Sequence, residues 1–369
     1  MMDFESKQPM PMTFQELKAF PSTRYQGSKR KIVPWLRNCL QELDFTTALD
    51  VFGGTGSVSY LFKKMGKAVT YNDKLHFNHQ VGLALIENDG VTLSPEDIAS
   101  VISGRLETTP RFVRDTFKGI YFTDRENARI DSCVARINRL HAKRGALVYK
   151  RALLFYTLIQ CCLIKRPFNL FHRRNLYLRF ADVEREFGNK VTWDLPFNRH
   201  FTRFSSEVNE LVFKGRRRCR SIRYDALAIP KGSYDLVYID PPYLTKDASN
   251  ESADYFRCYH FLEGLCRYDV WGDLIDYETP NLRMKPEGSN PWTDRDRNAE
   301  AFDSLFEKFA DSIIVISYKK FGVPSIDTLV RMLKRHGKRV RTHSQHYKYA
   351  LNHQNGEAQL NREVLLVAQ

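Results

Sequence analysis

Ala48-Leu49-Asp50-Val51-Phe52 runs at once into Gly53-Gly54-Thr55-Gly56. Its apolar first half has the length of a buried strand, and Ser57 to Met65 continues with helical spacing. Strand, glycine turn and helix is an arrangement that binds nucleotides, because glycine lets the backbone approach a ligand closely. The turn is not G-x-G-x-x-G, and no lysine follows it as in a phosphate-binding loop, so phosphate binding is not implied. The next strand, Ala68-Val69-Thr70-Tyr71, ends in Asn72-Asp73. Asp73 stands 20 residues after Gly53, the usual separation for an acid that takes ribose hydroxyls. The plain alternative is that Asp73 caps the helix that follows.

Working outward, Leu236-Val237-Tyr238-Ile239 reads as another buried strand. Asp240-Pro241-Pro242-Tyr243 ends it at once, since neither proline donates to a ladder. A carboxylate, a rigid kink and an aromatic ring therefore sit at the carboxyl end of a strand, the edge where open α/β sheets bind ligands. One chemical task suits this set. A planar base can stack on Tyr243 while its amino group donates to the Asp240 carboxylate and the Pro241 carbonyl. Two acceptors pull both N–H bonds out of conjugation, and the nitrogen lone pair becomes available to a methyl donor. A strand-ending turn with a structural acid is the bland reading of the same four letters.

The chain has 369 residues, with 57 Lys and Arg against 43 Asp and Glu, a net charge of +14 and a pI near 9.4. That length fits one large domain or two. The charge suits a polyanion, nucleic acid first and an anionic membrane second. No apolar stretch is expected to reach the roughly 18 residues of a membrane span, and Met1 to Pro11 lacks the apolar core of a signal peptide. Seven cysteines without a C-x-x-C pair point to a reducing compartment and no metal site.

Residues 1–20 read as a loose arm with an amphipathic piece near Phe14 to Phe20. Arg24-Tyr25-Gln26-Gly27-Ser28-Lys29-Arg30 opens a helix with Pro34 in its first turn, and amides there beside Lys29 form an anion site. A plain basic helix start is equally compatible. After residue 90 the βα rhythm stops. Short helices follow, from Ser94-Pro95-Glu96-Asp97 and from Asp124 to Leu140, then a long apolar helix over 147–164. The segment 165–179 has five Lys or Arg among aromatics and amides, and no acid. Lys165, Arg166, Asn169, Arg173, Arg174 and Arg179 are the candidate DNA contacts; a solvated basic loop is the alternative. A second basic run, Lys214 to Arg223, leads into a strand and Tyr224-Asp225-Ala226. Ala253 to Tyr268 reads as an aromatic-rich helix, mostly core, with His260 a satisfied histidine. Residues 271–296 read as a long loop of the kind that serves function or moves. Helices over 297–310 and 324–336 and strands at 313–317, 339–342 and 363–368 complete the chain.

Taken together these motifs resemble those of the Dam-like DNA N(6)-adenine methyltransferases. Tyr25-Gln26-Gly27-Ser28-Lys29 is similar to that family's amino-acid pocket, Asp50 to Val58 to its glycine loop, Tyr71-Asn72-Asp73 to its ribose acid, Asp240 to Tyr243 to its catalytic tetrapeptide, and Ser317-Tyr318 to its strand-end motif. The resemblance covers roughly 20–90 and 200–369. It implies an α/β fold with a doubly wound, mostly parallel, Rossmann-like methyltransferase sheet. A catalytic domain of 20–90 and 200–369 would carry an inserted, mainly helical recognition lobe over 91–199. It implies methyl transfer from S-adenosylmethionine to the exocyclic amine of a flipped adenine in duplex DNA, in the cytoplasm of a prokaryotic or phage-infected cell. Asp240, Pro241, Pro242 and Tyr243 are then catalytic. Tyr25, Gly27, Lys29, Phe52, Gly53, Gly54, Gly56, Asp73, Asp225 and Asp240 are the donor-binding candidates, Asp225 toward the donor's adenine. A cognate restriction endonuclease is a partner left open. An amine of cytosine, RNA or protein glutamine is the nearest other substrate, and a DNA-binding module without turnover the alternative of another class.

Overall fold

The computed structural model describes residues 20–21, 25, 27–103, 110–140, 145–181, 190–245, 253–346 and 362–369. The N-terminal arm and its amphipathic piece up to residue 19, together with Arg24 and Gln26, lie outside the described residues, as do parts of the 91–199 segment. The strands, in chain order, are β1 (Thr47–Asp50), β2 (Ala68–Asn72), β3 (Arg220–Ile222), β4 (Leu236–Ile239), β5 (Leu244–Thr245), β6 (Ile313–Lys319), β7 (Gly322–Val323), β8 (Val340–His346) and β9 (Arg362–Ala368). Seven of them form one sheet in the order β3-β2-β1-β4-β6-β9-β8, and β5 pairs with β7 separately. From β3 to β6 every pairing is parallel; β9 runs antiparallel to both neighbours. This is the doubly wound, mostly parallel sheet expected from the sequence, closed by an antiparallel strand pair.

Alternation along the strands explains the two layers. Leu236 and Tyr238 of β4 face one apolar cluster, Val237 and Ile239 the other; Val315 and Ile316 of β6 divide the same way. A strand with both faces apolar must be covered on both sides. Helices Val33–Leu40 and Ser57–Lys64 cover one face, with Ala146–Ile164 packed in the same cluster against helices His76–Val81 and Phe197–Leu211, and helices Asn298–Lys308 and Ile326–Arg335 cover the other face.

Local signals set several element ends. Ser94 and Asp97 form a reciprocal capping box that starts helix Pro95–Ile102, and Thr123 with Glu126 does the same for Asp124–Asn138. The helix Ala146–Ile164 corrects one expectation. It has 19 residues and a mean hydropathy of 1.5, long and apolar enough to cross a membrane. In this fold it is a core helix, with Ala152 to Ile164 buried.

Candidate active site

Parallel pairing brings the carboxyl ends of β1, β2 and β4 to one edge. Asp50 lies opposite Tyr71 on one side and Tyr238 on the other, so Asp50, Asp73 and Asp240 converge on a single cavity of about 280 Å³. Tyr25, Gly27, Lys29, Phe52, Gly53, Gly54, Asp225, Pro241, Pro242 and Tyr243 also line it. Of the sequence candidates for donor binding, Gly56 alone is absent from that wall. Its role is backbone: it caps helix Ser57–Lys64 with φ 74°, a conformation that strains other residues. Gly53 is required by close approach of another kind. A Cβ there would lie 2.1 Å from the Tyr71 ring, so a protein side chain dictates this glycine.

Asp73 accepts from Gly54 N and Leu75 N at 2.9 Å and from Asn78 Nδ2 at 3.1 Å. It therefore ties the glycine turn to the approach of helix His76–Val81 while facing the cavity; that helix starts at Leu75 without a side-chain cap, so Asp73 does not cap it. Burial pushes its carboxyl up to about 6. Asp50 is buried more deeply. Ser59 Oγ donates to Oδ2 at 2.6 Å, and Oδ1 has no partner. Burial raises this acid to about 7, against the Ser59 bond and with Asp240 and Asp73 adding repulsion. Asp225 caps a 3-10 turn through Leu227 N and pairs with Lys74 at 3.1 Å.

The centre of the site is a charge cluster. Lys29 Nζ lies 2.8 Å from Asp240 Oδ1, 2.7 Å from the Tyr243 hydroxyl and 3.3 Å from Glu363 Oε1. The Tyr243 hydroxyl is 2.6 Å from Asp240 Oδ1 and 3.0 Å from Glu363 Oε1, and its one proton goes to one of these. Burial works against the Lys29 charge, but the two carboxylates outweigh it and hold the ammonium above the ordinary lysine value. Burial raises Asp240, Lys29 opposes, and Glu363 adds to the rise. The anion site expected at the Lys29 helix start is thus occupied by the protein's own carboxylates. Lys29 lines the cavity with its charge engaged by these two carboxylates.

Further residues line the cavity, some of them from within the motifs quoted above. Ser28, Thr55 and Ser57 gather three hydroxyls, with Thr55 Oγ1 3.0 Å from Ser57 Oγ. The loop over 271–296 brings Asn290 and Trp292 to the wall, Trp292 edge-on to Phe52 with centroids 4.9 Å apart. Tyr25 stacks on Tyr259 and Tyr255 at 4.4 and 5.4 Å. Glu363 comes from β9.

The segment 165–179 is anchored beside this site. Phe171 N donates to Cys258 O at 2.8 Å, and the Phe171 ring stacks on Phe261 at 5.0 Å, on the helix Tyr255–Cys266 that carries Tyr255. His260 Nε2 lies 3.1 Å from the Phe171 carbonyl and 2.9 Å from the Tyr121 hydroxyl, and burial lowers it to about 3; it is a core histidine as expected, but satisfied at Nε2 only, since Nδ1 is buried without a partner. Three of the six candidate DNA contacts are corrected here. Lys165 and Arg179 are buried on Glu126, at 3.0 and 2.7 Å, and also donate to backbone carbonyls. Arg166 is 1% exposed, donates to the Leu170 and Arg173 carbonyls, and lies over the Tyr121 and Phe171 rings. Ring faces take the place of a carboxylate there. Arg173 and Arg174 are exposed and Asn169 is half-buried. Phe168, Tyr177 and Phe180 are exposed on the same segment.

A mostly parallel seven-stranded sheet of this order, with Asp-Pro-Pro-Tyr at the end of β4 beside a glycine turn, has the arrangement of a Rossmann-like methyltransferase. Residues 25–263 match the family described as D12 class N6 adenine-specific DNA methyltransferase, and the chain belongs to that family. It is an enzyme that methylates N6 of adenine in DNA. Among relatives, type II methyltransferase M2.HphI of Haemophilus parahaemolyticus is 27% identical over 328 residues, covering 87% of this chain and 90% of the relative. Type II methyltransferase M.FokI of Planomicrobium okeanokoites is 25% identical over 93% of this chain and 52% of its own length. Modification methylase LlaI of Lactococcus lactis subsp. lactis is 23% identical over 85% of this chain and 48% of its own length. The chain spans about half of these last two.

Proposed function

We propose that the chain methylates a flipped adenine within a defined sequence of duplex DNA, with S-adenosylmethionine as donor. The carrying observation is Asp240: both Lys29 and Tyr243 contact its Oδ1, so Oδ2 is the oxygen with capacity for a substrate amine, in a cavity that also holds Asp50 and Asp73. Burying a base in this cavity requires extrusion from the duplex, a cost of roughly a few kcal/mol. Tyr243 stacks on the base, and Asp240 with the Pro241 carbonyl accepts from its amine. Asp240 need not be a strong base, since the proton can leave after transfer. Positioning and electrostatics carry the rate.

The residues fit the donor. S-adenosylmethionine supplies a methyl group already activated on a sulfonium. Asp50, with its buried unpartnered Oδ1, suits a cation. Asp73 takes the ribose hydroxyls, and the Ser28, Thr55 and Ser57 hydroxyls take the carboxylate in place of Lys29. Phe52 and Trp292 flank the adenine ring and Asp225 reaches its edge; Tyr25, Gly27, Gly53 and Gly54 form the walls. A pH dependence follows. Asp50 is raised to about 7 in the free protein, so it is protonated below that pH and must lose its proton to hold a cation. Donor affinity is expected to fall by up to about tenfold per pH unit below 7, with proton release on binding. Calorimetry in two buffers checks this, and Asp50→Asn should flatten the curve above pH 6, where Asp73 is still ionised. Unchanged affinity from pH 8 to 5.5 removes Asp50 from the donor's cation.

The described parts of 91–199 act as the recognition insertion on a catalytic domain of 20–90 and 200–369. The exposed Arg173, Arg174, Phe168 and Tyr177 and the half-buried Asn169 meet DNA. If Arg173 or Arg174 meets phosphate, its replacement by Ala weakens all duplexes alike and lowers the salt slope by about 0.9. If either grips a guanine, its loss costs about 1–3 kcal/mol on the cognate site only. Binding curves on cognate and scrambled duplexes at two salt concentrations decide between these; no change on either places recognition elsewhere. The names of the relatives support a restriction–modification setting, with a cognate endonuclease as partner, in a reducing cytoplasm. Tritiated S-adenosylmethionine mixed with the purified protein and duplex DNA tests the whole reading. Label recovered in N6-methyladenine is the expected result, and label in another base or none overturns it.

A further inference from the structure

Glu363 is the second residue of β9, an acid where the next five residues are apolar and buried. It is 0% exposed and pairs in register with Lys319 of β6 and Gln345 of β8. A buried carboxylate is costly unless charge and hydrogen bonds compensate it. Here they do: Glu363 Oε1 accepts from Ser317 Oγ at 2.6 Å and lies 3.3 Å from Lys29 Nζ and 3.0 Å from the Tyr243 hydroxyl. Each of these last two groups also contacts Asp240 Oδ1. One ammonium is thus shared between two carboxylates, and one phenol proton is offered to both.

We propose that Glu363 is a positioning residue for the methyl transfer, sharing Lys29 and Tyr243 with Asp240 so that Asp240 stays a strong acceptor for the substrate amine. The inference rests on the reading that Asp240 accepts from the amine. If Glu363 were neutral, the ammonium would belong to Asp240 alone and would cancel the charge that the amine meets. With Glu363 ionised, the cluster of two carboxylates and one ammonium keeps a net negative charge. The amine nitrogen turns cationic as its bond to the methyl carbon forms and the methyl–sulfur bond breaks, so that charge favours the transition state. The departing proton goes to water. Glu363 touches neither amine nor donor in this account; it acts through Lys29 and Tyr243.

The same geometry sets a pH signature. The groups facing Asp240 and Glu363 are Lys29, Lys319, Tyr238, Tyr243, Tyr255 and Asp50. Burial raises the Asp240 carboxyl, and the Glu363 charge adds to that rise. Removing the charge lets Asp240 ionise at lower pH, so the acid limb of the rate moves down. A role confined to packing would not move it.

Glu363→Gln keeps the shape and an acceptor for Ser317 but loses the charge. Its single-turnover rate at neutral pH is expected to fall about 10- to 100-fold, less than the roughly 100- to 1000-fold for losing a group that contacts the reacting centre directly. Donor and DNA affinities should stay within about twofold. Carbon-13 titration of labelled aspartate, read without donor or DNA, should show the Asp240 midpoint moving to lower pH. Glu363→Asp, which restores the charge, should recover part of the rate and of the midpoint, and it serves alone if the Gln variant does not fold. Glu363→Gln with the wild-type rate, or with a lower rate and an unmoved Asp240 midpoint, overturns the proposal. Failure of the underlying reading looks different: Asp240→Ala would then keep its rate, whatever Glu363 does.

Discussion

Asp240→Ala is expected to slow single-turnover methyl transfer by about 100- to 1000-fold, the cost of one preorganised hydrogen-bond partner at a reacting centre. Donor affinity should change far less, since Asp50 and Asp73 remain at the same edge of the sheet. The fold should survive the change. Lys29 keeps Glu363 at 3.3 Å, and the Tyr243 hydroxyl keeps Glu363 at 3.0 Å, so neither group is left buried and unpaired. This separates Asp240 from an ordinary buried ion-pair partner, whose loss leaves its mate uncompensated. Rapid-quench kinetics with preformed complex gives the rate, and calorimetry gives donor affinity. A variant that kept more than half of the rate would falsify the assignment of Asp240 to the amine.

The parts of the site that were legible in the sequence are those in which one short segment carries both the structural signal and the chemistry. Asp240-Pro241-Pro242-Tyr243 ends its own strand, and Gly53 to Gly56 make their own turn, so no distant information was needed. The sheet followed from the same logic, because Leu236 to Ile239 and Ile313 to Ser317 are apolar on both faces. Glu363 was hidden for the opposite reason. It is 120 residues from Tyr243, and only the antiparallel insertion of β9 between β6 and β8 brings it to the cluster. The clue available was an acid at the head of a buried strand. The partners of Lys29 were hidden in the same way, since both of its carboxylates, Asp240 and Glu363, are remote in sequence. Trp292 sits in a loop without periodicity, and nothing local tells which wall such a loop completes.

The basic segment 165–179 shows how an acid-free run misleads, and its test has a large expected effect. Arg179 is not solvated: Nη1 and Nη2 meet the two oxygens of Glu126 at 2.7 and 2.8 Å, 53 residues upstream, and Nη2 also reaches Trp193 O at 3.1 Å. Lys165 joins from the other side at 3.0 Å. Breaking such a buried cluster by removing one partner costs on the order of 3–5 kcal/mol, and Arg179→Ala is expected to lose that much in urea unfolding. Burial works against ionisation of Glu126, but Arg179 and Lys165 outweigh it and hold its carboxyl below the usual carboxylate range. A depressed acid stabilises above its unfolded value, near pH 4.3, and that contribution is lost as pH falls through the depressed value in the fold. Wild-type stability should therefore drop more steeply below about pH 4.3 than that of Arg179→Ala. The folded fraction of the variant should bind duplex DNA with the wild-type salt slope, because no phosphate contact has been removed. An unchanged unfolding midpoint together with a shallower salt slope would return Arg179 to the DNA surface.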